Sequence, residues 1–559
     1  MPRFGIISNT DQWSDRRLDI VAGLLILVGF LFRLWAAADG FVNPDEAYHV
    51  LLASPEDFAS LYKSAVRSPH PPLFIILLHC IRQITTSDLG IRLIPLLAGS
   101  LFPWVIYRWI SRGWSKHAGI AALAALTFAP ALIQLSIEAR GYTMALLFMS
   151  IALYMMDSAI EHSSPLRMAG FALALFGAIL SDFSAAFFTV AAGAYFLLRI
   201  REKQVTQDVR IVWELSQVGA VVIYAVLWVT QVYPMKAIAA TRSDVEGWLR
   251  DCYPQTGDNP VVFVVLNTAR QFAFLFPLLV PAVAAILLFF IGAWLLWRRS
   301  APNKIWHSRA LVMLMFIPFG MACLGSFLYM FPYGRSRHTV FLALFIVMGV
   351  SVTLDRIGRK WIIPLALLGA IGMTSWHLTL GRHRGLIARA DNSKSLMAEA
   401  LRFLEEEIPR DRPILVESEL RVVLAYYLEE GKRPPELYGS PSEEPIGGFR
   451  FFAARWGYSD PQQLRDDLRL LRGEYGYGPE EEIWVLDGGF LTLLENPVIS
   501  LHQKGEIQEL HRFGRAMVAF KTPPGFMWEQ PGPGDVVPKR DPGDDALPAF
   551  PEYRQGATE

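Results

Sequence analysis

Residues 16–49 read RRLDIVAGLLILVGFLFRLWAAADGFVNPDEAYH. Two arginines are followed by an apolar run at 18–38, and that run by an Asp-Glu pair. A membrane-spanning helix needs about 20 mostly apolar residues, so 18–38 is long enough to cross. Arg16 and Arg17 place the N-terminus on the cytoplasmic side, because short cytoplasmic loops collect Lys and Arg. Ala36-Ala37-Ala38 resembles a signal-peptide cleavage site. The apolar run is longer than a signal core and many more follow it, so an uncleaved anchor is expected.

The same test applied outward finds further runs at 90–110, 117–137, 142–160, 167–181, 183–199, 211–231, 277–297, 310–330, 338–354 and 361–380. The expectation is a polytopic α-helical membrane protein with about 11 transmembrane helices. Alternation puts the basic stretches Arg108–Lys116, Arg167, Arg199–Arg210, Arg298–Arg309 and Arg356–Lys360 with the N-terminus. This requires that 71–84 (PPLFIILLHCIRQI) does not cross. It opens on Pro-Pro, is short and carries His79 and Arg82, so it reads as an interfacial or re-entrant helix on the outer face. The 232–260 loop and the C-terminal part then face outward.

The balanced charge, 52 Lys+Arg against 52 Asp+Glu, hides an asymmetry. Residues 381–559 hold 22 basic and 31 acidic residues, a net of −9, so residues 1–380 carry +9. Charged residues are 51 of the first 380 and 53 of the last 179, so a lipid-soluble part is joined to a water-soluble one. With 53% hydrophobic and 19% charged residues, a wholly disordered chain, a collagen-like fibre and a nucleic-acid binder are excluded. The expected divisions are a cytoplasmic tail (1–17), a membrane domain (18–380), a small extracytoplasmic α/β domain (381–521) and a Pro/Gly-rich disordered tail (522–559). In the third, 394–407 and 461–473 have helical spacing, while PILVES (413–418) and EIWVLD (482–487) read as short buried strands. The cysteines, Cys80, Cys252 and Cys323, lie outside that part, and no Cys/His cluster suggests zinc.

Sorted by side, the polar residues at the helix ends collect on the outer face: Asp45, Glu46, His70, Glu138, Arg140, Asp182, Arg335, Arg337 and His338. Ionisable groups near a bilayer are costly, about 2.5–3.5 kcal/mol each at its centre, so such a set suggests a shared polar cavity. Asp45 and Glu46 suit a general base and its support, or simply a helix cap. His70, fixed by Pro71-Pro72, is placed to donate to a lipid phosphate or merely starts a helix. Glu138 and Arg140 read as an interhelical ion pair, and Asp182 as a turn or cap. Arg335 and Arg337 are unusual in an outward loop, and guanidinium groups match phosphate.

In order, Asp45-Glu46 after the first span, HPPL at 70–73, Arg92-Leu93 opening the next span and Glu138-Ala-Arg-Gly-Tyr142 resemble a known group. They are similar to bacterial GT-C glycosyltransferases of the protein O-mannosyltransferase-like and aminoarabinose transferase-like group, over about residues 18–380. The resemblance implies transfer of a sugar from a polyprenyl-phosphate donor to an acceptor hydroxyl on the outer face of the bacterial inner membrane, with inversion. The partners it implies are the lipid-linked donor, an acceptor lipid, glycan or protein, and the bilayer, with no nucleic acid. It makes Asp45 the base and Glu46 its support. It puts His70, Arg337, Arg335 and Arg140 at the donor phosphate, with Tyr48, Glu138, Tyr142, Asp182 and His338 supporting. The chain departs from the group at Ser181-Asp182-Phe183, where many relatives carry His-Tyr, and at Arg337-His338, where they often carry Arg-Tyr. No metal is required; a divalent cation is compatible but has no motif. The alternatives are a transporter or flippase of lipid-linked sugars, against which stands the absence of repeats, and a membrane-anchored binding protein working through 381–521.

Overall fold

The computed structural model describes residues 9–201, 205–236, 249–298, 308–379, 393–429, 443–453, 461–478, 480–488, 502, 505–507, 509–514 and 516–522. Residues 1–8 of the expected N-terminal tail, 237–248 of the 232–260 loop, 381–392 at the start of the expected C-terminal domain and 523–559 of the expected disordered tail lie outside these residues. Among the described residues, seven helices are long and apolar enough to cross a membrane. Counting the bent pair Lys116–Phe128 and Pro130–Ile137 as one span makes eight. The expected eleven is not reached by this measure. Pro165–Ile179 and Ala185–Ile200 have only 15 and 16 residues. The runs expected at 338–354 and 361–380 merge into one helical stretch, Arg337–Gly372.

The polar groups mark two ends of the helical body. At one end Lys116 Nζ and Tyr107 Oη reach Asp19, at 2.7 and 2.5 Å. There Trp114 Nε1 also donates to Asp355 at 3.1 Å, Arg359 Nε to His117 at 2.9 Å, and Arg112 pairs with Glu161. At the other end lie Asp45, His70, Arg140, Asp182 and Arg337. The short Pro165–Ile179 helix still runs from one to the other, since Arg167 bonds Ser158 at the first end and Asp182 faces His70 at the second. Close packing fixes the helices laterally. A Cβ on Gly292 would collide with the backbone of Gly349, so only glycine lets these two helices cross there.

The 71–84 stretch forms the Leu73–Arg82 helix. Its 10 residues are about 15 Å long, half of what a crossing needs. His79 and Arg82 bond the carbonyls of Ala53 and Val50, fastening this helix to α2 (Pro44–Leu52), which follows α1 (Asn9–Asp39).

The C-terminal part contains a small six-stranded sheet in the order β2-β3-β1-β4-β6-β5. The strands are β1 (Pro413–Val416), β2 (Glu443–Ile446), β3 (Phe449–Ala453), β4 (Trp484–Asp487), β5 (His511–Phe513) and β6 (Met517–Lys521). β1 runs parallel to β3 and β4, and the other pairs are antiparallel. Both strands read from PILVES and EIWVLD are present, as are helices Lys394–Glu407 and Pro461–Tyr475. The sheet and the helix Ser418–Glu429 share an apolar core with the helical body: Ile414 and Val416 of β1 and Val423 of that helix pack in the same cluster as Val50, Leu51 and Phe74. Polar bonds reinforce the seam. Tyr426 Oη donates to Asp88 at 2.8 Å, Lys394 Nζ reaches Asp88 at 3.0 Å, and the Val42 amide donates to Tyr427 Oη at 2.8 Å.

Candidate active site

The sequence NPDEAYH begins α2 with a capping box: Asn43 accepts from the Glu46 amide and Glu46 accepts from the Asn43 amide, while Pro44 opens the helix. This fixes where the two carboxylates go. Glu46 is fully buried and turned toward Arg92, whose Nε and Nη2 donate to its two oxygens at 2.7 Å each. The Ala139 amide adds a bond of 2.8 Å. Arg92 spends its remaining donors on the carbonyls of Ala37, Gly40 and Phe41. Glu46 therefore ties the end of α1, the start of α2 and the Glu138–Arg140 bend together.

Asp45 faces the other way. Its Oδ2 accepts from Arg140 Nη1 at 2.6 Å and from Arg337 Nη1 at 2.7 Å. Burial alone would raise this carboxyl; the guanidiniums of Arg140 and then Arg337 outweigh it and hold it well below the usual carboxylate range.

Arg140 reaches this point because the helix before it stops at Glu138, whose backbone turns extended. Its Nη2 lies 3.2 Å from His70 Nε2 and 3.4 Å from Tyr142 Oη, and its guanidinium sits over the Tyr142 ring. An arginine can only donate, so His70 Nε2 accepts and the ring proton is on Nδ1, 3.8 Å from Asp182. Burial, with the Arg140 charge, pushes His70 well below its ordinary value, so it is neutral near pH 7. Asp182 caps the next turn through the Ser184 amide, and burial raises its carboxyl. Glu138 is buried beside this group, accepts from Gln134 at 2.9 Å and is raised by burial. The His338 ring stacks on His70 at 6.3 Å and meets Tyr142 at 6.1 Å.

Asp45, His70, Arg140, Tyr142, Asp182, Arg337 and His338 thus come together from five separate segments. Tyr48 sits at the edge of the group: its ring meets that of His49 edge-on at 5.9 Å, and its hydroxyl donates to the Arg67 carbonyl at 3.3 Å. Arg335 is exposed, two residues before Arg337. Two residues of the site had been given no role. His49 lies one helical turn after Asp45, bonds the Asp45 carbonyl through Nδ1 at 2.5 Å and sits 5.7 Å from the His70 ring; the i, i+4 spacing was its signal. Arg92 was visible only as part of a motif. Among the described residues, no group of three or more His, Cys, Asp or Glu is placed to hold a metal ion.

Residues 69–229 match the family model described as dolichyl-phosphate-mannose-protein mannosyltransferase. The chain is similar to membrane glycosyltransferases. That bears out the resemblance carried by the HPPL and EARGY motifs, both inside the matched stretch. No curated protein sequence matches the chain. Among solved structures, ArnT from Cupriavidus metallidurans in its apo state is 13% identical with a TM-score of 0.49, covering 94% of this chain and 100% of its own. ArnT from the same organism bound to undecaprenyl phosphate is 13% identical with a TM-score of 0.47, covering 90% and 97%. The Archaeoglobus fulgidus oligosaccharyltransferase, in complex with zinc and sulfate, is 13% identical with a TM-score of 0.43, covering 84% and 67%. At that degree of likeness nothing about substrate or mechanism passes to this chain.

Proposed function

We propose that this protein is a glycosyltransferase that moves a sugar from a polyprenyl-phosphate donor to an acceptor hydroxyl at the membrane surface, with inversion. The observation that carries the reading is Asp45 between Arg140 and Arg337: one carboxylate and two guanidiniums from three distant segments. Asp45 takes the proton of the acceptor hydroxyl. The freed oxygen bonds to the anomeric carbon as the bond from that carbon to the phosphate oxygen breaks. The bond's electrons leave with the polyprenyl phosphate, and Arg140 and Arg337 hold its charge. His70, neutral, supports Arg140, and no step needs a metal.

Eleven crossings, a cytoplasmic N-terminus and an outward-facing site and sheet belong to this reading. In its favour, Lys116, Arg112, Arg167 and Arg359 lie at the end opposite Asp45, as basic cytoplasmic loops would. The acceptor is a lipid, glycan or protein that presents a free hydroxyl.

The test uses purified protein with native lipid and labelled polyprenyl-phosphate sugars. Wild type consumes one of these donors. Asp45→Asn, with unchanged expression, loses the roughly 10²–10⁴-fold that a placed base supplies. Equal consumption by both proteins removes Asp45 as the base, and passage of lipid-linked sugar across vesicles by both favours a transporter.

A further inference from the structure

The two guanidiniums assigned above to the donor phosphate already hold an anion. Asp45 Oδ2 accepts from both, at 2.6 and 2.7 Å. Exposure increases outward through the cluster: the side chain of Arg140 is 2% exposed, that of Arg337 28% and that of Asp45 43%. The carboxylate is the most open member and Arg140 the most covered, so an anion arriving from solvent meets Asp45 before it reaches Arg140. Asp45, Arg140 and Arg337 together carry one net positive charge, which one singly charged phosphodiester would cancel. Two anions sharing the pair leave one of them poorly matched, because each guanidinium offers a fixed fork of donors.

We propose that Asp45 holds the place of the donor's phosphate between Arg140 and Arg337, and that the phosphate displaces it on binding. The inference rests on the glycosyltransferase reading and adds an order to it. The carboxylate is freed from its cations only once the donor is seated, so the acceptor is activated after the donor has bound. Binding of the phosphate and pairing of Asp45 are then competing events, and removing the Asp45 charge strengthens binding while it abolishes transfer. A role limited to holding the arginines in place would do the reverse, since loss of the carboxylate would loosen both.

The experiment measures equilibrium binding of a polyprenyl phosphate, inorganic phosphate and the uncharged polyprenol to the full-length protein. Wild type is compared with Asp45→Asn and Asp45→Ala. Displacement predicts polyprenyl phosphate binding about tenfold tighter in both variants, with polyprenol binding unchanged. A matching gain for inorganic phosphate supports displacement by the headgroup alone; a gain confined to the polyprenyl form supports displacement that needs the lipid chain. If wild type prefers the polyprenyl phosphate to the alcohol but neither variant binds it more tightly, displacement is overturned and the glycosyltransferase reading stands. If none of the three proteins prefers the phosphate to the alcohol, both fall.

Discussion

Asp45 and Glu46 are consecutive residues that point to opposite partners: Asp45 to Arg140 and Arg337, Glu46 to Arg92. The capping box at the start of α2 separates them. It commits Glu46 to the backbone and leaves Asp45 at the open side of the cluster. One carboxylate is left to the open cluster, where the proposed chemistry would use it, and the other is tied into the architecture.

Glu46→Gln should therefore act on stability. The change leaves the Arg92 guanidinium buried without its counter-charge, at a cost of about 3–5 kcal/mol. The expected outcome is a lowered unfolding temperature in detergent. A Glu46→Gln protein as stable as wild type, yet inactive, would move Glu46 into the chemistry.

Arg140→Lys keeps the charge and loses the fork. A lysine can reach Asp45, but it cannot at the same time donate to His70 and lie flat on Tyr142. Transfer should fall about 10²-fold, on the scale of losing one aligned donor to a developing charge. Steady-state turnover of donor checks this, with normal expression as the control.

Acidification should destabilise the site. Burial, followed by the Arg140 charge, lowers His49 to about 4, against the Asp45 carboxylate and carbonyl, which raise it. Between pH 6.5 and 4 the unfolded chain then binds a proton that the folded chain refuses. Stability from this group is complete above pH 6.5 and is lost progressively as pH falls toward 4, by about 3 kcal/mol in all. His49→Gln should flatten the dependence of unfolding temperature on pH across that window, and an unchanged slope would exclude His49 as its source.

Tyr427→Phe tests the seam between the sheet and the helices. It removes the acceptor of the buried Val42 amide, worth about 1–3 kcal/mol. Amide hydrogen exchange should quicken at residues 41–53 while strand β1 stays protected. Uniform quickening over the whole sheet would show that the residue serves the sheet itself.

Much of this was legible because membrane helices betray their ends. Asp45, His70, Arg140, Asp182 and Arg337 stand where apolar runs stop, and alternation of the runs was enough to put them on one side. What the sequence did not show was direction. Nothing in the letters Asp-Glu says that one side chain turns outward and its neighbour inward; that depends on Asn43 and Pro44 starting the helix between them. His49 hid inside α2 because a histidine at i+4 looks like any helical residue until its Asp45 contact is formed. The number of crossings is legible only in part. Pro165–Ile179, inside the run read at 167–181, reaches from end to end with 15 residues, a length at which hydropathy alone does not separate a crossing from a buried helix. Strands β1 and β4 were readable as short β-rich runs, but their shared core with α2 joins residues too far apart for any local pattern to report.

That shared core sets an order on the birth of the protein. Val42 waits for Tyr427, 385 residues further along the chain, and Asp88 waits for Tyr426. The ribosome delivers the Asp45 segment near the start and its last support near the finish. The segment around Asp45 is thus among the first parts made and the last to be locked, and a chain cut short before residue 427 would enter the membrane without the contacts that brace that segment.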